Sequence, residues 1–354
     1  MPGGLQIDDI TRKWILNKSD ELAVENHGCR FDAKRARHIL DFFPRCLELF
    51  EGGRKPFVPI PAAQRMLARA FGWVRRDHYT GHWKRRFTRV FWWVPKKNAK
   101  TPIAAGVGLY LLTQDGETGQ KVYTAAKDGK QAKIVHRHAM KMGKRSPVLS
   151  PYLKFNLTEN IIEYPDEDSY YFLIAGDNPN SQEGLNGSCI IDELHVVNWE
   201  LYSVLEYMGA SRDEPMLFHV STAGKDLEGV GKAKYDYGKQ VEAGEVPDYS
   251  LFHESYELPA NVKDEDLKLP ADCSPEELER RLAPWKQANP GWGITVNIED
   301  FISKLREAQR SPRAFARFKM YRGNQWQTGD SPFISAEDWR ACCMVFDDLA
   351  ALAS

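Results

Sequence analysis

Lys100 and Thr101 stand where the apolar run Arg89 to Val94 gives way, through Val94-Pro95-Lys96-Lys97-Asn98-Ala99, to the helical pattern that begins Pro102-Ile103-Ala104-Ala105. A lysine beside a hydroxyl at the entrance to a helix suits the binding of phosphate. The helix start offers N–H groups and a favourable dipole, the lysine reaches the outer phosphates, and the hydroxyl meets a magnesium ion. The usual spelling of such a loop is G-x-x-x-x-G-K-[ST]; here Val94 and Ala99 occupy the two glycine places. Taken alone, the segment reads equally as a basic turn before a buried helix.

A second run, Ser188-Cys189-Ile190-Ile191, closes with Asp192-Glu193-Leu194-His195. In this pattern Asp192 would hold magnesium through water, and Glu193 would orient or deprotonate a water for in-line transfer of a γ-phosphate. A third, Phe218-His219-Val220, ends in Ser221-Thr222-Ala223-Gly224, small polar residues suited to sensing the γ-phosphate and relaying its loss. Each segment by itself is also an ordinary strand end. Together, and in this chain order, they favour a nucleotide-binding enzyme. His195 reads as a polar loop histidine, since no second histidine stands at ligand spacing, and His136 and His138, two apart in a helical pattern, point to different faces.

The elements that must position these residues follow from periodicity. Apolar residues at helical spacing after Asp32, a candidate N-cap, predict a helix over Phe31 to Phe50, stopped by Gly52 and Gly53. Pro56, Pro59 and Pro61 then hold the chain extended before a helix from Ala62 to Val74 that carries Gln64 near its start. Strands are expected at Arg89 to Val94, Lys121 to Ala125, Tyr170 to Ala175, Ser188 to Ile191 and Met216 to Ser221, alternating with helices. That alternation means a largely parallel α/β sheet, with ligands beyond the carboxyl ends of its strands. Ser274 to Gln287, Ile298 to Gln309 and Arg313 to Tyr321 predict a small helical subdomain, and the polar, acidic stretch Gly231 to Leu269 an irregular connection.

The 354 residues, 42% hydrophobic and 27% charged, suffice for one large domain or two modest ones. No apolar run approaches the ~20 residues of a membrane helix, so a soluble, intracellular protein is expected. Cys29, Cys46, Cys189, Cys273, Cys342 and Cys343 show no paired C-x-x-C spacing, which argues against a disulfide framework or a zinc ribbon. The net charge of -1 hides an uneven distribution. Arg65 to Arg89 carries Arg65, Arg69, Arg75, Arg76, Lys84, Arg85, Arg86 and Arg89 against Asp77 alone, and Lys121 to Arg145 is basic against Asp128 alone. These stretches are either phosphate contacts or solvated faces balanced by the acidic stretch Glu254 to Glu279.

Across nearly its whole length the chain resembles the large terminase subunits of tailed double-stranded DNA bacteriophages. The matching segments are Pro59-Ile60-Pro61-Ala62-Ala63-Gln64 with Phe71-Gly72-Trp73, the loop Pro95 to Thr101, Tyr123-Thr124-Ala125-Ala126 with Gln131-Ala132, and Glu183-Gly184-Leu185-Asn186. Ile191-Asp192-Glu193-Leu194-His195, Ser221-Thr222-Ala223-Gly224, Ala288-Asn289-Pro290 and Asn324-Gln325-Trp326 complete the set. The resemblance implies an additional-strand P-loop NTPase core, its mainly parallel sheet flanked by helices, with a small helical lid or linker subdomain. It divides the chain into an N-terminal helical region (1–55), the ATPase core (56–265), the helical subdomain (266–345) and the start of a linker (346–354).

It further implies ATP and Mg2+ as cofactors and assigns roles within the site. Gln64 would contact adenine, and Pro95, Lys96, Lys97, Asn98, Ala99, Lys100 and Thr101 would form the nucleotide loop. Lys96 or Lys97 would replace the family's extra loop cation. Thr101 and Asp192 would hold magnesium, Lys100 and Glu193 would be catalytic, and Ser221, Thr222 and Ala223 would couple hydrolysis to motion. Arg137, Arg145 and Arg212 are the candidates for an arginine supplied to a neighbouring subunit. Ala99 departs from the family's glycine, where a Cβ restricts both φ and approach to phosphate.

The implied partners are double-stranded DNA, the portal protein, the small terminase subunit and further copies of the chain in a ring on the procapsid, the isolated chain being monomeric, in the host cell cytoplasm without a membrane. Large terminases also carry a nuclease domain of ribonuclease-H type. The sequence reaches Ser354 soon after Trp339-Arg340-Ala341-Cys342-Cys343 and Asp347-Asp348-Leu349-Ala350, which look like the approach to it, so no DNA cleavage is expected. A helicase-like ATPase and a catalytically weak nucleotide-binding or scaffold module of the packaging complex are the competing readings.

Overall fold

Apolar runs without alternation, such as Val90-Phe91-Trp92-Trp93, belong to strands covered on both faces, and in the computed structural model of the chain they lie inside a sheet. The structure describes residues 7–49, 55–126, 129–175 and 185–327; Glu183, Gly184, the stretch from Trp339 to Ala350 and the linker segment 346–354 lie outside them. The chain begins with α1 (Asp9–Lys13), α2 (Lys18–His27), β1 (Arg30–Phe31) and α3 (Ala33–Cys46). A ribbon of β2 (Glu48–Leu49) and β3 (Lys55–Pro56) leads to α4 (Pro61–Gly72) and to the hairpin β4 (Trp73–Arg76) and β5 (Trp83–Arg85).

The core runs β6 (Arg89–Trp93), α5 (Lys100–Thr113), β7 (Lys121–Ala126), α6 (Gly129–Arg145), β8 (Lys154–Asn156), β9 (Ile161–Tyr164) and β10 (Ser169–Ala175). It continues with β11 (Ser188–Asp192), α7 (Trp199–Glu206), β12 (Leu217–Ser221), α8 (Val230–Glu242) and β13 (Leu251–Ser255). Helices α9 (Asp264–Leu267), α10 (Pro275–Ala288), α11 (Ile298–Ala308) and α12 (Pro312–Gly323) follow, packed around their own core of Trp285, Phe301, Leu305 and Phe315.

The large sheet has the order β13-β6-β12-β11-β7-β10-β9-β8. From β13 to β10 every pairing is parallel, and β9 and β8 extend the edge antiparallel. Strand β12 therefore lies between the strand that feeds Lys100 and the strand that ends at Asp192, and all three turn out at the same edge. On one face Val90 and Trp92 pack with α3, α4 and α5; on the other Phe91 and Trp93 pack with α7 and α8. Helix α5 is buried from Ile103 to Leu112, as expected for a helix that is apolar all round. Its Gly106 is required by a close approach: a Cβ there would stand 2.4 Å from Phe43.

The five expected strands are present, and Asp32 caps α3 by accepting the N–H groups of Lys34 and Arg35. The expected helix to Val74 stops at Gly72, because Trp73 turns extended to begin the hairpin. The stretch Gly231 to Leu269, read as irregular, contains most of α8 and all of β13. The basic stretch Arg65 to Arg89 is also corrected. Arg69, Arg85 and Arg86 are buried, Arg69 and Arg86 each 2.8 Å from Asp20 and Arg85 2.6 Å from Asp115, so they are internal partners of acids and not phosphate contacts.

Asp20 thus fastens α2 to α4 and to the end of the hairpin from a position without solvent. Replacing Asp20 by Asn should lower stability by about 3–5 kcal/mol in chemical denaturation, since Arg86 would then be buried without a counter-charge and Arg69 left with Glu254 alone. A much smaller loss would show that the arginines find other acceptors.

Candidate nucleotide site

The loop between β6 and α5 is curled by two non-glycine residues in the left-handed region, Lys97 (φ 76°) and Ala99 (φ 59°). Ala99 is the residue that caps α5, so the position where a glycine is usual does take the backbone angle that favours one. At the first turn the N–H groups of Lys100 and Thr101 have no partner within the helix. Left-handed turns that run into a helix start are a backbone arrangement suited to anions. Lys100 is 7% exposed, and its ammonium donates to the carbonyls of Val94 (2.9 Å) and Pro95 (3.3 Å). Burial pushes its pKa down, opposed by the charges of Glu193 and Asp192.

Asp192 ends β11 as a buried carboxyl. Burial, with the neighbouring charge of Glu193, raises it above the ordinary carboxylate range against the pull of Lys100. Glu193 sits at φ 54° and donates its N–H to Val220 of β12. Its Oε2 accepts from Thr222 Oγ1 (3.3 Å) and lies 3.1 Å from His195 Nδ1. Burial works to raise this carboxyl, but the His195 hydrogen bond and the charge of Lys100 outweigh it and hold it low. At the end of β12 the Ser221 carbonyl accepts the N–H of Val94, which joins this strand end to the base of the loop. The three sequence segments, distant in the chain, therefore meet at one edge of the sheet.

Residues 63–240, half of the chain, match the family model described as the terminase large subunit, ATPase domain. The chain belongs to this family. Protein YmfN of Escherichia coli strain K12 is 28% identical over 163 residues, 45% of this chain and 32% of YmfN. The crystal structure of the HK97 bacteriophage large terminase superposes with a TM-score of 0.66 at 21% identity, covering 87% of this chain and 58% of that one. The chain thus spans about a third of YmfN and less than two thirds of the HK97 protein, and the latter likeness is one of fold.

Within this terminase ATPase domain the other expected site residues fall as follows. Thr101 is half-buried on the first turn of α5. Gln64 lies on the first turn of α4 and donates to its own chain at Pro59 (2.7 Å). The neighbouring Arg65 donates to Tyr256 Oη (2.6 Å), and the Tyr256 N–H to Trp93, so this end of α4 is tied to the strand ends beside the loop. Arg137 and Arg145 are exposed on α6. Arg212 is not at this edge: it precedes β12 and is engaged by Glu117 (3.6 Å) and the carbonyls of Thr118 and Gly119, before β7, at the amino ends of the strands. Its guanidinium is thus engaged at the end of the sheet opposite the Lys100 loop.

Asn98 turns its side chain away from the loop's open side, into the protein. Its side chain is buried and used up by protein: Nδ2 donates to Pro95 (3.1 Å) and to Asn289 Oδ1 (3.0 Å), and Oδ1 accepts the Gly291 N–H (2.8 Å). Asn289 Nδ2 in turn donates to Trp285 and Arg322. Lys96 donates its N–H to the Tyr321 carbonyl and lays its ammonium 3.7 Å from the centre of the Tyr321 ring. Asn324 accepts the Ala223 N–H (2.6 Å) and donates to Tyr256. The helical subdomain therefore packs against the loop, and its Asn-Pro and Asn-Gln-Trp segments, noticed in the sequence, supply the asparagines that join it to the loop and to Ala223.

Two outcomes follow. Ala99→Gly should stabilise the protein by about 1 kcal/mol in chemical denaturation by relieving the left-handed alanine, and a nucleotide titration would show any accompanying gain in affinity. Asn98→Ala should cost about 1–3 kcal/mol by stranding Gly291 N–H and Asn289 Oδ1. Hydrogen exchange should then rise together in the loop and in residues 285–292; a rise in the loop alone would refute the joint.

Proposed function

We propose that this chain is the ATP-hydrolysing motor domain of a phage terminase, which couples hydrolysis to the passage of double-stranded DNA into a procapsid. The convergence of Lys100, the Asp192-Glu193 pair and Ser221 to Ala223 on one sheet edge, in a member of this family, carries the reading. Lys100 exchanges the Val94 and Pro95 carbonyls for phosphate oxygens, and the N–H groups of the helix start hold the remainder. Gln64 faces the adenine. Thr101 and Asp192 suit magnesium, a hard ion that takes a carboxylate, a hydroxyl and phosphate oxygens and keeps its other waters. When bound, it neutralises charge on the phosphate. Glu193 aims the attacking water, and Ser221, Thr222 and Ala223 pass the loss of the γ-phosphate to β12 and the helical subdomain.

Helix α6 has no acidic residue and exposes Arg137, Lys141, Lys144 and Arg145. It is the surface from which Arg137 or Arg145 would reach the nucleotide of the next copy in a ring on the portal protein, with the small terminase subunit as a further partner, in the host cell cytoplasm. The strained Ala99 favours one alternative, a module that binds nucleotide and turns it over weakly.

Phosphate release from Mg-ATP, with and without linear DNA, tests the reading. Glu193→Gln should lower kcat by about 100-fold or more with binding retained, and Lys100→Ala should lose binding as well. In assembled rings Arg137→Ala or Arg145→Ala should reduce kcat with KM changed by no more than about twofold. Binding without turnover, even on portal-loaded capsids, would select the silent module.

A further inference from the structure

Gly224 makes room for the side chain, and Gly231 for the backbone, of one residue to which no step above assigns a task. A Cβ on Gly224 would stand 3.0 Å from His195 Cδ2, and one on Gly231 would stand 2.6 Å from His195 Cα. His195 lies in a single 3-10 turn (Leu194–Val196) straight after the two acids. Its Nδ1 is 3.1 Å from Glu193 Oε2 and 3.2 Å from Ser221 Oγ, and its backbone N–H donates to the same Ser221 Oγ at 3.1 Å. A carboxylate only accepts, so Nδ1 carries the proton. Thr222 Oγ1 donates to the same Glu193 oxygen, and the Ser221 carbonyl accepts Val94 N–H at the base of the loop.

We propose that His195 is a positioning residue that ties the Glu193 carboxylate to Ser221 and Thr222, so that the aim of the carboxylate and the place of the coupling segment change as one event. This rests on the ATPase reading above. A histidine kept only to fill the space beside Gly224 would not need Nδ1 turned to the acid. In the present arrangement the carboxylate is held toward the coupling segment. When that segment shifts, His195 shifts with it, and Glu193 is re-aimed without contacting the nucleotide-binding loop itself.

The test compares the wild type with His195→Ala, His195→Asn, which places an amide N–H where Nδ1 stood, and Glu193→Gln. With Mg-ATP, His195→Ala should keep KM within about twofold, lower kcat by about tenfold and lose its response to linear DNA, while His195→Asn recovers most of both. Equal kcat and equal DNA response in His195→Ala would overturn the proposal. So would an Asn variant as impaired as the Ala variant at an unchanged thermal midpoint, since packing alone would then explain the effect. For a chain that is slow outside its ring, hydrogen exchange with Mg and AMP-PNP decides. Protection should change together at 192–195 and 217–224 in the wild type and His195→Asn, and separately in His195→Ala; joint change in all three sinks the idea. Failure of the parent reading looks different: no AMP-PNP binding by the wild type, or Glu193→Gln turning over as fast as wild type.

Discussion

Asn98 occupies the middle of a turn with no exposed surface, and a buried amide must find protein partners for its donors and its acceptor. It finds them on both sides of a seam, at Pro95 within the loop and at Asn289 and Gly291 in the helical subdomain. That requirement fixes how far the loop can open and against what it closes. The left-handed angles at Lys97 and Ala99 are sustained by the same seam, since Lys96 on one side is bonded to Tyr321 and α5 on the other is locked in the core. Local strain of this kind persists only where the surroundings over-determine it.

The sheet order gives these contacts their direction. With β12 between β6 and β11, its backbone touches the loop through Val94 and the acid-bearing strand end through Glu193. Ala223, two residues past its end, then meets the helical subdomain through Asn324. Burial meanwhile works against charge on both Lys100 and Asp192. Each would gain from a ligand that brings opposite charge to it, while neither can relax into solvent.

Much of this was legible in the residues. Strands buried on both faces appear as unbroken apolar runs, so β6, β7, β10, β11 and β12 could be read directly, and with them the edge where the site lies. Strand β13 could not, because His253 and Glu254 interrupt its pattern, and their burial depends on Glu242 and Arg69, the latter 185 positions away. The arginines of the hairpin region misled for the same reason: a charge run does not reveal that its counter-charges lie on α2 and beyond α5. Ala99 was recognisable as a glycine replaced, though only the backbone angle shows what the replacement costs. His195 looked idle since its partner Ser221 is 26 residues further on. Long-range polar pairing leaves little periodic trace.

Asn98 and Asn289 are 191 positions apart. At a synthesis rate of about 5–20 residues per second, roughly 10–40 s separate their emergence from the ribosome. The strands from β6 to β13 precede Asn289 in the chain, so the sheet has time to assemble while the turn beside α5 still lacks the residues that shape it. For that interval the loop beside α5 has its own residues but not the partners that shape it, and its final form waits on a stretch of chain made much later.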